Sequence, residues 1–138
     1  VIDRERVLAK LDALDGYLTE LRSIMPASLA AYQQVEKRRA CERLLQVSVE
    51  CMLDVCHMVV TGMRLGLPAD EDDVFDRLRR AQVISESLVE TLRRMKGCRN
   101  ILVHQYGNVL DDLVYETIST RLGDFTEFRR QILAAVTS

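Results

Sequence analysis

The sequence has no tryptophan, two prolines and no C-x-x-C pair among its four cysteines. Without paired cysteines, zinc-finger and thioredoxin chemistry fall away. Cys41, Cys51, Cys56 and Cys98 then read as buried, reduced thiols of a cytoplasmic protein. Cys51, Cys56 and His57 fit no common metal-ligand spacing, so no metal and no cofactor is expected. The opening VIDRERVLAK is charged and amphipathic and does not resemble a signal peptide. No apolar run approaches the ~18 residues of a membrane span, so no membrane partner is expected. There is no low-complexity segment, internal repeat or linker, and 138 residues make one domain, 1–138. A chain of this size removes roughly 68% of its unfolded surface from water. Neither charge sign dominates: 19 bases against 21 acids leave a net charge of −2 and a pI near 5.7. General nucleic-acid binders are usually basic, so overall charge argues against that class.

What is present favours helix: Leu, Arg, Glu, Val and Ala abound. Val7, Leu11, Leu14, Leu18, Leu21 and Met25 recur at spacings of four and three, one stripe of an amphipathic helix that Pro26 stops. A second helix spans about 28–63, with Ser28 as N-cap and the stripe Leu44, Val47, Cys51, Val55 and Met58. Its length makes a break near residues 33–37 reasonable, and Gly62, Gly66 and Pro68 mark its end. A short helix covers 70–81, acids first and arginines last, as the helix dipole favours. Ser85 caps a further helix with Leu88, Leu92 and Met95 on one face, running to Tyr106, where Gly107-Asn108 breaks it. Asp111 caps a last helix carrying Val114, Ile118, Leu122, Phe125, Phe128 and Ile132, with Gly123 a weak point at its middle. The expectation is all-α: a four- to five-helix up-down bundle joined by short loops.

Charge is distributed unevenly. Asp70, Glu71, Asp72, Asp73 and Asp76 form an acidic run, whereas residues 91–110 hold no acid and carry Arg93, Arg94, Lys96 and Arg99. That basic patch, a phosphate site or a solvated face, surrounds the stretch RNILVHQY, residues 99–106. Asn100 and His104 share a helix face. Arg99 and His104 stand roughly 140° apart on an ideal helix. The reach of arginine, a distortion near Gly107, or two copies of the motif facing each other would bring them to one point. Histidine titrates near neutrality and can move a proton at a reacting oxygen. Arginine offers a planar fork to phosphate oxygens. With RNA, the 2′-OH is a nucleophile already in place. The plain alternative is a satisfied polar helix interface. Glu50 and Asp54 interrupt the apolar second helix, and an unpaired carboxylate there would be costly to bury. Either they orient Arg99 or His104, or they pair at the surface with Arg43 or Lys10.

RNILVHQY resembles the R-x4-H-x-Y signature of the HEPN superfamily, in its HepT-like branch of toxin–antitoxin toxins. Arg99, His104 and Tyr106 match position for position, and Asn100 matches the Arg-Asn pair common there. The likeness extends over about 120 residues, 7–132: 42–60 is similar to the family's second helix, 68–78 to its short connecting helix, and 109–119 to the helix after the motif. Ala81-Gln82 departs from the pattern, which often has glycine at this turn.

The resemblance implies a HEPN-like homodimer whose two motifs meet in a cleft. It implies a metal-independent endoribonuclease, a type VII-like toxin, with Arg99 and His104 catalytic and Asn100, Tyr106, Asp54 and Glu50 supporting. It implies neutralisation by an MNT-type nucleotidyltransferase antitoxin, which in this branch transfers AMP to the motif tyrosine, here Tyr106. The other reading is a non-catalytic HEPN partner that binds nucleotide beside a minimal nucleotidyltransferase.

Overall fold

A computed structural model describes residues 2–104 and 111–137 of the chain. Among them are seven helices: α1 Arg4–Ser23, α2 Leu29–Tyr32, α3 Val35–Gly62, α4 Glu71–Arg80, α5 Glu86–His104, α6 Asp111–Thr120 and α7 Gly123–Thr137. The expected four or five become seven because two predicted helices are each divided. The 28–63 helix gives way at Gln33-Gln34, within the range anticipated. Gln34 is extended and has no side-chain cap, so a one-turn α2 precedes the long α3. The last helix breaks at Arg121-Leu122, just before Gly123, the residue of poorest helix propensity in that stretch. Gln105 to Leu110 lie outside the described residues, so the continuation to Tyr106 and the break at Gly107-Asn108 do too.

The core forms around α3, which packs against α1, α2, α4, α5 and α6. The α1 stripe is correct: Val7, Leu11, Leu14, Leu18 and Leu21 are all buried. So is the stripe across α6 and α7, from Val114 through Ile132, in spite of the break. The α3 stripe was set to one side. Of its five residues Cys51 and Val55 are buried, whereas Leu44, Val47 and Met58 are only partly so, and Cys41, Leu45, Val49, Met52, Cys56 and Val59 form the interior line. A helix enclosed by five neighbours buries more than one face, so periodicity alone has several solutions. By length and composition α3 contains a window apolar enough to cross a membrane, a property that counting uninterrupted apolar runs does not detect. Within the bundle 56% of that window is buried.

Antiparallel packing shows in the cross-links. Lys10 Nζ meets Asp54 Oδ2 at 3.0 Å, and Cys51 Sγ donates to the Lys10 carbonyl between α1 and α3. Arg94 pairs with Asp124 at 3.6 Å between α5 and α7. At the far end of the same pair, Ser85 N–H donates to Gln131 Oε1 at 2.8 Å, and Gln131 Nε2 donates to Ser85 Oγ at 3.1 Å. Ser85 Oγ also accepts from Leu88 N–H, so it caps α5 as expected. Helix α7 supplies the second half of that cap.

Candidate active site at the end of α5

Arg99, Asn100 and His104 occupy the last turns of α5. Arg99 lies on the inward side, its side chain 17% exposed. Its Nη2 donates to Glu71 Oε1 at 2.7 Å, and its Nε donates to Asn100 Oδ1 at 2.9 Å. Asn100 therefore steadies Arg99 rather than His104, although it shares a face with the histidine. His104 is exposed and has no hydrogen-bond or ion-pair partner among the described residues. Tyr106 lies outside the described residues.

Glu71 was missed as a site residue. In sequence its run of acids reads as a favourable helix start, and it is that as well: Asp70 caps α4 through a bond from Asp73 N–H at 2.8 Å. The acids do more once α4 and α5 lie antiparallel. Arg93 pairs with Asp76 at 3.0 Å and Asp72 at 3.8 Å, and Lys96 with Asp72 at 3.0 Å. Together with Glu71–Arg99 these form a ladder of opposite charges along two adjacent helices. The signal was legible: acids at 71, 72 and 76 face bases at 93, 96 and 99 across a short connection. The ladder also corrects the basic-patch reading. Arg93, Arg94, Lys96 and Arg99 each have an acidic partner within the chain.

The end of α3 sets the position of Glu71. Arg77 Nε donates to Asp73 Oδ2 at 3.0 Å, and Arg77 Nη1 donates to the Leu65 carbonyl at 2.7 Å. Ala69 N–H also donates to Asp73 Oδ2, which holds that carboxyl below the usual range, with Arg77 adding to the effect. Gly66, at φ +98°, passes so close to Arg77 Nη1 that a Cβ there would collide with it. The α3–α4 connection is thus pinned to the first turn of α4, where Glu71 begins the helix.

Glu50 and Asp54 make no hydrogen bond or ion pair to Arg99 or His104 among the described residues. Asp54 is bonded to Lys10, one of the two surface partners considered, and that bond raises the lysine pKa. Glu50 accepts from Gln46 Nε2 at 3.2 Å. The four cysteines are all buried and unpaired by disulfides, and burial pushes each thiol up, away from nucleophilic form.

A family model described as ribonuclease HepT-like matches residues 14–132, most of the chain and the whole of this site. The chain belongs to the HepT-like ribonuclease family of the HEPN superfamily. Among curated HepT-like relatives, the tRNA nuclease HepT of Aphanizomenon flos-aquae is 27% identical over 124 residues, covering 89% of this chain and 84% of that protein. The mRNA nuclease HepT of Shewanella oneidensis is 32% identical over 84 residues, 61% of this chain and 63% of that one. The fold agrees with solved structures. A tri-AMPylated Shewanella oneidensis HEPN toxin in complex with MNT antitoxin superposes with a TM-score of 0.86 at 24% identity, over 93% of this chain and 96% of that one. YutE of Bacillus subtilis, a cytosolic protein of unknown function, superposes with a TM-score of 0.82 at 22% identity, over 98% and 91% of the two chains.

Proposed function

We propose that this chain is an endoribonuclease toxin that cleaves RNA with Arg99 and His104 in the cleft of a homodimer. The observation that carries the reading is the pair itself: an anchored arginine and an exposed, unpartnered histidine at one helix end of a HepT-like fold. His104 accepts the proton of the ribose 2′-OH, and the 2′-oxygen attacks the adjacent phosphorus. The 5′-oxygen leaves and takes a proton from His104 of the second copy. The products are a 2′,3′-cyclic phosphate and a 5′-hydroxyl. Arg99 stabilises the charge that builds on the non-bridging oxygens. The nucleophile belongs to the substrate, so cleavage persists in chelator. Two copies also resolve the 140° divergence of Arg99 and His104 on one helix. The two HepT relatives are named for different RNAs, which suits a site that acts on the sugar–phosphate backbone.

The partner in this reading is an MNT-type nucleotidyltransferase antitoxin. The structural neighbour bound to such an antitoxin is itself AMPylated. Here the acceptor is Tyr106: its phenol oxygen attacks the α-phosphorus of ATP and pyrophosphate leaves. The added phosphate brings negative charge and bulk into an RNA-phosphate site.

The test is induction of wild type, Arg99→Ala and His104→Ala in a bacterial host lacking the partner gene, followed by total RNA analysis. Growth arrest with RNA fragmentation in the wild type alone is the expected result. Equal growth and intact RNA in all three, with soluble dimeric wild type, would sink the nuclease and favour a non-catalytic partner of the nucleotidyltransferase.

A further inference from the structure

One rung of the α4–α5 ladder differs from the rest. Arg99 is bonded on two sides, through Nε and Nη2, and its rung is the most enclosed: the side chains of Arg99 and Glu71 are 17% and 31% exposed, against 21% and 47% for Lys96 and Asp72 and 39% and 37% for Arg93 and Asp76. A guanidinium has five N–H donors in a rigid plane. The bonds to Asn100 Oδ1 and Glu71 Oε1 occupy Nε and one hydrogen of Nη2, which is one edge of that plane. The other Nη2 hydrogen and both Nη1 hydrogens have no partner among the described residues. One hydrogen on each of Nη1 and Nη2 forms the outer fork, the edge that takes two phosphate oxygens in parallel. A carboxylate masking the arginine would bridge that fork with both oxygens. Glu71 instead binds from the side, through Oε1 alone.

We infer that Glu71 is a positioning residue for the reaction: with Asn100 it clamps one edge of Arg99 and leaves the outer fork set for the scissile phosphate. The inference rests on the ribonuclease reading. Glu71 is itself held by the pinned α3–α4 connection, so the plane of Arg99 is fixed from the end of α3 outward.

The experiment compares wild type, Glu71→Ala, Glu71→Gln and Asp76→Asn. It combines steady-state cleavage of a mixed-sequence oligoribonucleotide in chelator with nitrogen-15 NMR of the Arg99 Nε–H. Asp76→Asn removes one charge from the Arg93 rung at the far end of the ladder and reports what loss of ladder charge does by itself. Glu71→Ala is expected to lower kcat about 30- to 100-fold with KM within about 3-fold, the cost of a misplaced group. Glu71→Gln keeps an acceptor oxygen and should return kcat to within about 5-fold of wild type, since a neutral acceptor gives a weaker bond in the same place. Asp76→Asn should keep wild-type kcat. The Arg99 Nε–H signal should be sharp and slow to exchange in all but Glu71→Ala. Unchanged kcat in Glu71→Ala overturns the inference, as does tighter RNA binding with faster cleavage, which would make Glu71 a mask. A wild type that cleaves nothing in the same assay removes the ribonuclease reading, and the positioning role with it, whatever the NMR signal shows.

Discussion

At the scale of single residues, the site is built by what each group lacks as much as by what it touches. Among the described residues the His104 imidazole and the outer fork of Arg99 have no partner. Elsewhere an open group is only a cost. The Tyr32 hydroxyl is buried, its ring lies 5.9 Å from that of Tyr115 on α6, and it has no hydrogen-bond partner among the described residues. Burial pushes its phenol up, and the Glu42 and Asp111 carboxylates add to this. A buried polar atom left unpaired costs about 1–3 kcal/mol. Tyr32→Phe keeps the ring and removes the unpaired oxygen, so it should stabilise the fold by about 1 kcal/mol. Urea unfolding midpoints would measure this, and a loss of stability would mean the hydroxyl is satisfied in solution.

At the scale of elements, the helix ends separate what was readable from what was not. Helix α4 stops in a Schellman motif, with Gln82 N–H bonded to the Arg79 carbonyl and Val83 N–H to the Leu78 carbonyl, both at 2.9 Å. Gln82 has φ +61°, the left-handed conformation that glycine adopts without strain. Helix α3 ends the same way on Arg64, at φ +56°. The missing glycine at Ala81-Gln82 was visible in sequence. That Gln82 would take the strained conformation regardless was not, because the turn is held by the burial of Leu78 and Val83 in the core that other helices complete. Gln82→Gly should therefore stabilise by about 0.5–1 kcal/mol, the relief of left-handed strain less the entropy of an added glycine. Gly66→Ala should destabilise, since it adds both a strained φ and a clash with Arg77. Thermal denaturation of the two variants gives opposite signs if the cap geometry is correct.

Legibility followed locality. Caps by Ser28 and Ser85, the α1 stripe and the helix that carries Arg99, Asn100 and His104 all depend on residues close in sequence. Groups distant in sequence escaped. Glu71 reaches Arg99 only once α4 lies antiparallel to α5. Gln131 completes the α5 cap from a different helix. Asp54 pairs with Lys10 on α1, one of the two surface partners its sequence context offered.

At the scale of the whole molecule, stability in acid follows from the carboxylates that bind the elements together. Asp73 joins Ala69, Arg77 and Arg80, and its folded pKa is depressed. A depressed carboxylate contributes stability that is present above its unfolded value of about 4 and is lost as pH falls through the lower folded value. Wild type should therefore lose stability below about pH 4 more steeply than Asp73→Asn, which has no proton to take up. Thermal midpoints from pH 7 to pH 2 would test this. Parallel acid limbs would show that Asp73 does not carry the effect.

The charge ladder between α4 and α5 has a consequence for encounter rather than for chemistry. Bases already joined to acids project little field beyond the surface, and the net charge of −2 repels a polyanion weakly. An RNA strand approaching this protein is not drawn in from a distance, so association should run near 10⁵–10⁶ M⁻¹s⁻¹ rather than at the steered limit. Few counterions are released on contact. In the proposed dimer, the outer fork of Arg99 in each of the two copies contributes a log–log slope of about −1.4 to the salt dependence of single-strand binding, from about −0.7 per phosphate neutralised. Such an enzyme would act slowly on dilute RNA and lose only about 7-fold in Arg99-borne affinity for a fourfold rise in salt.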